Sequence, residues 1–148
     1  MSSPPADLPR LSPAPDGALS VHGSAVRIGA RGLLILGPAG SGKSGLAAGL
    51  IALGAMLIAD DLTLILPGGG APILRAPARA PVRLELRGLG LVSPPTAPEA
   101  PLAAALLLGP SRARLPEPET WPVHGSEIPL LRHPAQPDLP AKMHLWLS

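Results

Sequence analysis

The chain contains no cysteine, which excludes disulfide cross-links and thiolate metal sites. Phenylalanine and tyrosine are also missing, and Trp121 and Trp146 are the only aromatic residues among 148. The core must then be built from Leu, Ile, Val and Ala, with little aromatic mass to stabilise it. Charged residues are sparse, at 15% against 46% hydrophobic, a balance unlike that of highly charged disordered chains. The net charge is only +2, and the basic residues form no run and no aromatic-interleaved patch, so nothing points to nucleic acid. The longest charge-free apolar stretch, residues 45–59, is short for a membrane span and contains Gly49 and Gly54. The segment MSSPPADLPRLSPAPDG at 1–17 lacks the apolar core of a secretory signal. Neither nucleic acid nor membrane is an expected partner, and the expected compartment is the cytoplasm.

What the chain does have is proline and glycine, 22 and 17 residues, close to the low-complexity range. Its length fits one domain. Residues 1–18 carry Pro and Ser without periodicity and are expected to be a flexible arm. Residues 19–148 are expected to form a single domain, with 94–148 Pro-rich and loosely ordered. Weak alternation over 19–28, a Gly29-Ala30-Arg31-Gly32 turn and the apolar run 33–36 together predict a hairpin. Residues 43–53 place Leu46, Leu50 and Leu53 at helical spacing, and Gly54 suits a helix stop. Residues 55–59 read as a second apolar strand, with 62–66 extending it. Residues 82–92 alternate as a half-buried strand followed by a Gly-rich bend. The run 102–108 is apolar but of uncertain type, and 109–148 reads as irregular structure with short strands or helical turns. The fold class is α/β, a mixed β-sheet with a helix packed on it.

Gly37-Pro38-Ala39-Gly40-Ser41-Gly42-Lys43-Ser44 matches the phosphate-loop pattern G-x-x-x-x-G-K-[ST], with a strand before it and a helix after it. Glycines let successive backbone N–H groups turn inward onto a polyphosphate, and the helix presents its positive end there. Lys43 supplies a point charge and the Ser44 hydroxyl a magnesium ligand. The ligand expected is therefore ATP or a related nucleotide with Mg²⁺. Asp60 and Asp61 close the next strand, where ligands of α/β sheets gather. One of them can hold metal or water while the other acts as a base. Glu85 reads from alternation alone as solvent-facing, His22 as structural, and His124, His133 and His144 have no metal-like spacing.

Several segments together resemble the HPr kinase/phosphorylase family, in particular the catalytic domain of its short alphaproteobacterial form. They are Val21-His22-Gly23, Gly32–Gly37, the phosphate loop, Leu57–Asp61 and Leu84-Glu85-Leu86-Arg87-Gly88-Leu89-Gly90. The resemblance implies a P-loop fold of the phosphoenolpyruvate-carboxykinase-like type. It implies transfer of phosphate from ATP to a serine of an HPr-like phosphocarrier protein, reversed by phosphorolysis. It implies Asp60 as the acid/base, His22 as an assisting active-site residue and Lys43 as the P-loop lysine. Ser44 and Glu85 take Mg²⁺-ligand positions, and Asp61 joins them as a candidate. A homo-oligomer is compatible with the resemblance. Gly45 departs from the acidic residue usual in the family, no C-terminal docking helix is recognisable, and Arg112 and Arg114 are the candidates for a further active-site arginine. A second reading is a non-catalytic module that senses nucleotide or phosphate in a phosphotransferase-system pathway.

Overall fold

The computed structural model describes residues 7–78, 81–110 and 116–148. An antiparallel pair, β1 (Ser12–Pro13) and β2 (Leu19–His22), brackets a short 3-10 turn. The next strands, β3 (Ser24–Ile28) and β4 (Arg31–Leu36), form the expected hairpin, but its turn is only Gly29-Ala30, because Ile28 already faces Arg31. Residues 19–28 are thus two strands divided at Gly23. A Cβ at Gly23 would stand 2.8 Å from the Ile35 carbonyl oxygen, so the chain passes there only as glycine.

The glycine loop leads from β4 into α1 (Lys43–Ala52), which returns to β5 (Met56–Ala59). The segment 62–66 does not extend β5. Asp61 adopts a left-handed backbone, φ 69°, and the chain turns into a separate strand, β6 (Leu62–Leu66). There follow β7 (Ile73–Arg75), the small hairpin of β8 (Leu84–Leu86) with β9 (Gly90–Val92), and the long β10 (Glu99–Leu108). The chain ends through β11 (Glu119–Val123), β12 (Ser126–His133) and α2 (Leu139–Leu147).

Apart from β8 and β9, the strands form one sheet in the order β1-β2-β6-β7-β10-β4-β3-β5, with β12 on β10 and β11 on β12. The apolar run of uncertain type is the C-terminal part of its central strand. Glu99–Pro101 pair antiparallel with β7, and from Leu102 on β10 lies parallel to β4, with β12 parallel on its other side. A register slip between Leu102 and Ala104 marks the handover.

Side chains alternate across the sheet. Leu33 and Ile35 of β4 pack under Leu46, Ala47 and Leu50 of α1 and Leu139 and Met143 of α2. Leu34 and Leu36 face the other way, with Val21, Ile65, Leu74 and Trp121. Each such Leu or Ile contributes roughly 1.5–3 kcal/mol by burial.

Over 116–148 the strands and helical turns expected amid irregular structure are the regular elements β11, β12 and α2, so the irregular, loosely ordered reading is corrected there. Their prolines misled because each occupies a tolerant position. Pro122 lies on β11, which pairs with β12 alone, and Pro129 precedes Leu130, where pairing of β12 with β10 begins. Pro140 stands in the first turn of α2, where its missing N–H is harmless. Of the arm expected at 1–18, the described part is engaged through β1 and an ion pair from Asp7 to Arg132. Among the described residues no helix is long and apolar enough to cross a membrane.

Candidate functional site

The phosphate loop spans the gap between the end of β4 and the start of α1. Gly42 is the helix N-cap, with φ 102° and ψ 18°, and a Cβ on it would meet the Ala135 Cβ at 3.0 Å. Conformation and space both demand glycine there. The Leu46 N–H closes the first helical turn on the Gly42 carbonyl at 3.0 Å. The N–H groups of Lys43, Ser44 and Gly45 therefore have no carbonyl within the helix, and they carry its positive end outward. No acidic side chain occupies that first turn. Lys43 Nζ donates to the loop carbonyls of Gly37 (2.8 Å) and Pro38 (3.2 Å), so the cation is held at the loop. The Ser41 hydroxyl is buried and has no hydrogen-bond partner among the described residues, a further group suited to an oxyanion.

Asp60 follows β5, whose antiparallel pairing of Ala59 with Ala25 of β3 sets it opposite Ser24. Ser24 Oγ donates to Asp60 Oδ1 at 2.7 Å, and Ser44 Oγ to the same oxygen at 3.2 Å. The adjoining backbone is stitched in place. The Gly23 N–H donates to the Asp61 carbonyl at 3.0 Å, and the buried Thr63 hydroxyl donates to the Gly23 carbonyl at 2.9 Å. Both carboxylates, with Lys43 and Ser44, line one cleft of about 690 Å³, within the range of small-molecule sites.

The far wall comes from the β8–β9 hairpin, anchored on the α1 face of the sheet by buried Leu84. Glu85 is exposed, as alternation requires, yet the side it is exposed on is the cleft. Solvent-facing and ligand-facing are the same direction there. Arg87 and Leu89 of the same hairpin also line the cleft.

Of the residues singled out in the sequence, Ala39, Gly40, Gly42, Lys43 and Ser44 reach the cleft, as do Asp60, Asp61 and Glu85. Gly37, Pro38 and Ser41 shape the loop without lining it. His22 is not on the cleft wall. It is exposed at the end of β2, paired with Leu62 one residue beyond Asp61. Arg112 and Arg114 lie outside the described residues. Ser24 was missed, since its proximity to Asp60 depends on the register of β3 against β5, which no local pattern reveals.

The donors around the cleft are hydroxyl and carboxylate oxygens, the set a hard cation prefers. Among the described residues no three His, Asp or Glu side chains converge on a ready-made metal cage. A hydroxyl with one or two carboxylates is a donor set that fits magnesium, which keeps waters and shares substrate phosphates.

A family model described as HPr Serine kinase C-terminal domain matches residues 16–96. The HPr kinase/phosphorylase of Mycoplasmopsis pulmonis is 39% identical over 74 residues, covering 50% of this chain and 24% of that protein. The HPr kinase/phosphorylase of Chloroherpeton thalassium is 42% identical over 73 residues, covering 48% of this chain and 21% of that protein. The chain thus spans about a quarter or less of the length of these relatives. The solved Hpr(Ser) kinase/phosphatase from Coxiella burnetii superposes with a TM-score of 0.75 over 86% of this chain and 87% of that one, at 23% identity, a likeness of fold. The architecture is the mixed α/β P-loop fold of the phosphoenolpyruvate-carboxykinase-like type. Over the span that contains the phosphate loop, the acidic pair and the Glu85 hairpin, this chain belongs to the HPr serine kinase C-terminal domain family.

Proposed function

We propose that the protein is a Mg-ATP-dependent HPr(Ser) kinase/phosphorylase, acting on a serine of an HPr-like phosphocarrier protein in the cytoplasm. The observation that carries the reading is the convergence of a phosphate loop and a hydroxyl-bound carboxylate, Asp60, in one cleft. A nucleotide-binding module needs the first and at most one carboxylate for its cation, whereas Asp60 and Asp61 together leave one to act as a base.

The loop amides and Lys43 bind the ATP phosphates and neutralise charge that spreads over the transferred group. Ser44, Glu85 and Asp61 hold Mg²⁺, which when bound supplies charge neutralisation between the terminal phosphates. Asp60 takes the proton of the acceptor serine as its oxygen bonds to the γ-phosphorus and the bond to the β-phosphate oxygen breaks, releasing ADP. In reverse, an oxygen of inorganic phosphate attacks the phosphoserine phosphorus. Asp60 returns the proton to the departing serine oxygen, and pyrophosphate is the other product. His22, exposed at the end of β2 and off the cleft wall, keeps the assisting role that the family resemblance implies.

The test is incubation with γ-labelled ATP, Mg²⁺ and an HPr-like protein, with mapping of the labelled residue, and a parallel incubation of the phosphoserine protein with inorganic phosphate. Labelled serine in the first and pyrophosphate in the second are expected. Failure of both reactions, with ATP still bound, overturns the reading in favour of a nucleotide sensor.

A further inference from the structure

We infer that Ser24 is a positioning residue, whose hydroxyl fixes the orientation of the Asp60 carboxylate. The inference rests on the proposed transfer reaction and deepens it. Ser24 is 0% exposed and sits on a strand whose other buried residues, Ala25, Val26 and Ile28, are apolar. A hydroxyl in such a place is unfavourable unless it is hydrogen-bonded, and Ala or Val would otherwise serve the strand better. Its partner is Asp60 Oδ1, at 2.7 Å, the shorter of the two hydroxyl contacts to that oxygen.

Both hydroxyls converge on Oδ1, and no hydrogen bond reaches Oδ2 among the described residues. One oxygen is anchored to the protein and the other is left for the acceptor hydroxyl. The two anchors are not equivalent. Ser44 also carries the hydroxyl proposed to meet the nucleotide's cation, while the Ser24 hydroxyl comes from the opposite strand and has no other hydrogen bond among the described residues. It is the contact that holds Asp60 when Ser44 is engaged elsewhere. Its own position is fixed by the Gly23–Asp61 and Thr63–Gly23 bonds immediately beside it.

Three measurements on Ser24→Ala and Ser24→Thr decide the matter. In S24A, kcat for phosphate transfer falls roughly ten- to hundredfold, as expected for a misplaced reacting group, while the ATP dissociation constant stays within about twofold. S24T, which keeps the hydroxyl, restores kcat. Crystal structures with Mg²⁺ and nucleotide bound then show the Asp60 side chain in more than one rotamer in S24A and in a single one in S24T. An unchanged kcat in S24A, or a fall matched by lost ATP affinity, overturns the inference. A single unaltered Asp60 rotamer in S24A overturns it even if the wild-type protein transfers no phosphate, so this failure is distinct from that of the proposed function.

Discussion

Lys43 ties its own loop together through bonds to two carbonyls at the loop edge. Both contacts lie near solvent, so Lys43→Ala is expected to change the unfolding free energy by less than about 1 kcal/mol. Its effect on ATP is larger, since a charge-assisted contact to phosphate contributes about 1.5–3 kcal/mol. Calorimetry should record at least roughly a tenfold weaker dissociation constant. Asp60→Asn makes the opposite split: ATP binding is retained and transfer to the phosphocarrier is lost, which a labelled-ATP assay reads directly. The phosphate loop and the acidic pair were legible as residues because each carries its chemistry in a local pattern. Ser24 and the cleft-facing side of Glu85 were not, because they depend on which strand or helix lies opposite.

Two glycines in α1 look alike in sequence and differ in place. A Cβ on Gly45 would meet nothing within 4 Å, whereas one on Gly49 would stand 2.5 Å from Pro140 Cγ and 2.9 Å from its Cβ. Alanine is favoured over glycine in a helix interior by roughly 1 kcal/mol. Gly45 lies in the first turn and has room for a methyl group, so Gly45→Ala should raise the unfolding free energy by up to about 1 kcal/mol, read as a higher denaturant midpoint. Gly49→Ala should lower it, because α2 must shift away from α1 to admit the methyl group. The sign difference between the two variants, read in parallel urea titrations, checks the packing of α2 on the P-loop helix. Helical spacing predicted α1 correctly. It also read 43–53 as one continuous helix face without any hint that a C-terminal helix presses on it.

At the scale of the whole molecule, one side chain ties the segment before β1 to β12. Arg132 of β12 binds Glu119 of β11 and also Asp7, 125 residues away in sequence. Hydrogen bonds to Asp7 and then Glu119 push the arginine further up from its already high value, and the same contact with Arg132 holds the Asp7 carboxyl below 3.8. A carboxyl lowered on folding stabilises above its unfolded value, and that stability is lost as pH falls through the lower folded value. Asp7 is 57% exposed, so the contribution is screened. Asp7→Asn should lower stability at pH 7 by no more than about 0.5 kcal/mol. The difference from wild type should shrink in high salt and again as pH drops below 4, as followed by thermal unfolding.

The sequence by itself determined the chemistry of the loop, the helix that follows it, the apolar strands on either side and the family signature around Glu85. Those features are local: a glycine pattern, a 3.6-residue period and a motif all act within a few residues. Only the tertiary structure decided that the apolar run at 102–108 is the central strand, that the Pro-rich C-terminal region folds into strands and a helix, and that Ser24 meets Asp60. A uniformly apolar run has no period to read, a proline is tolerated or not according to which side of a strand is paired, and a contact 36 residues apart exists only once sheet register is set.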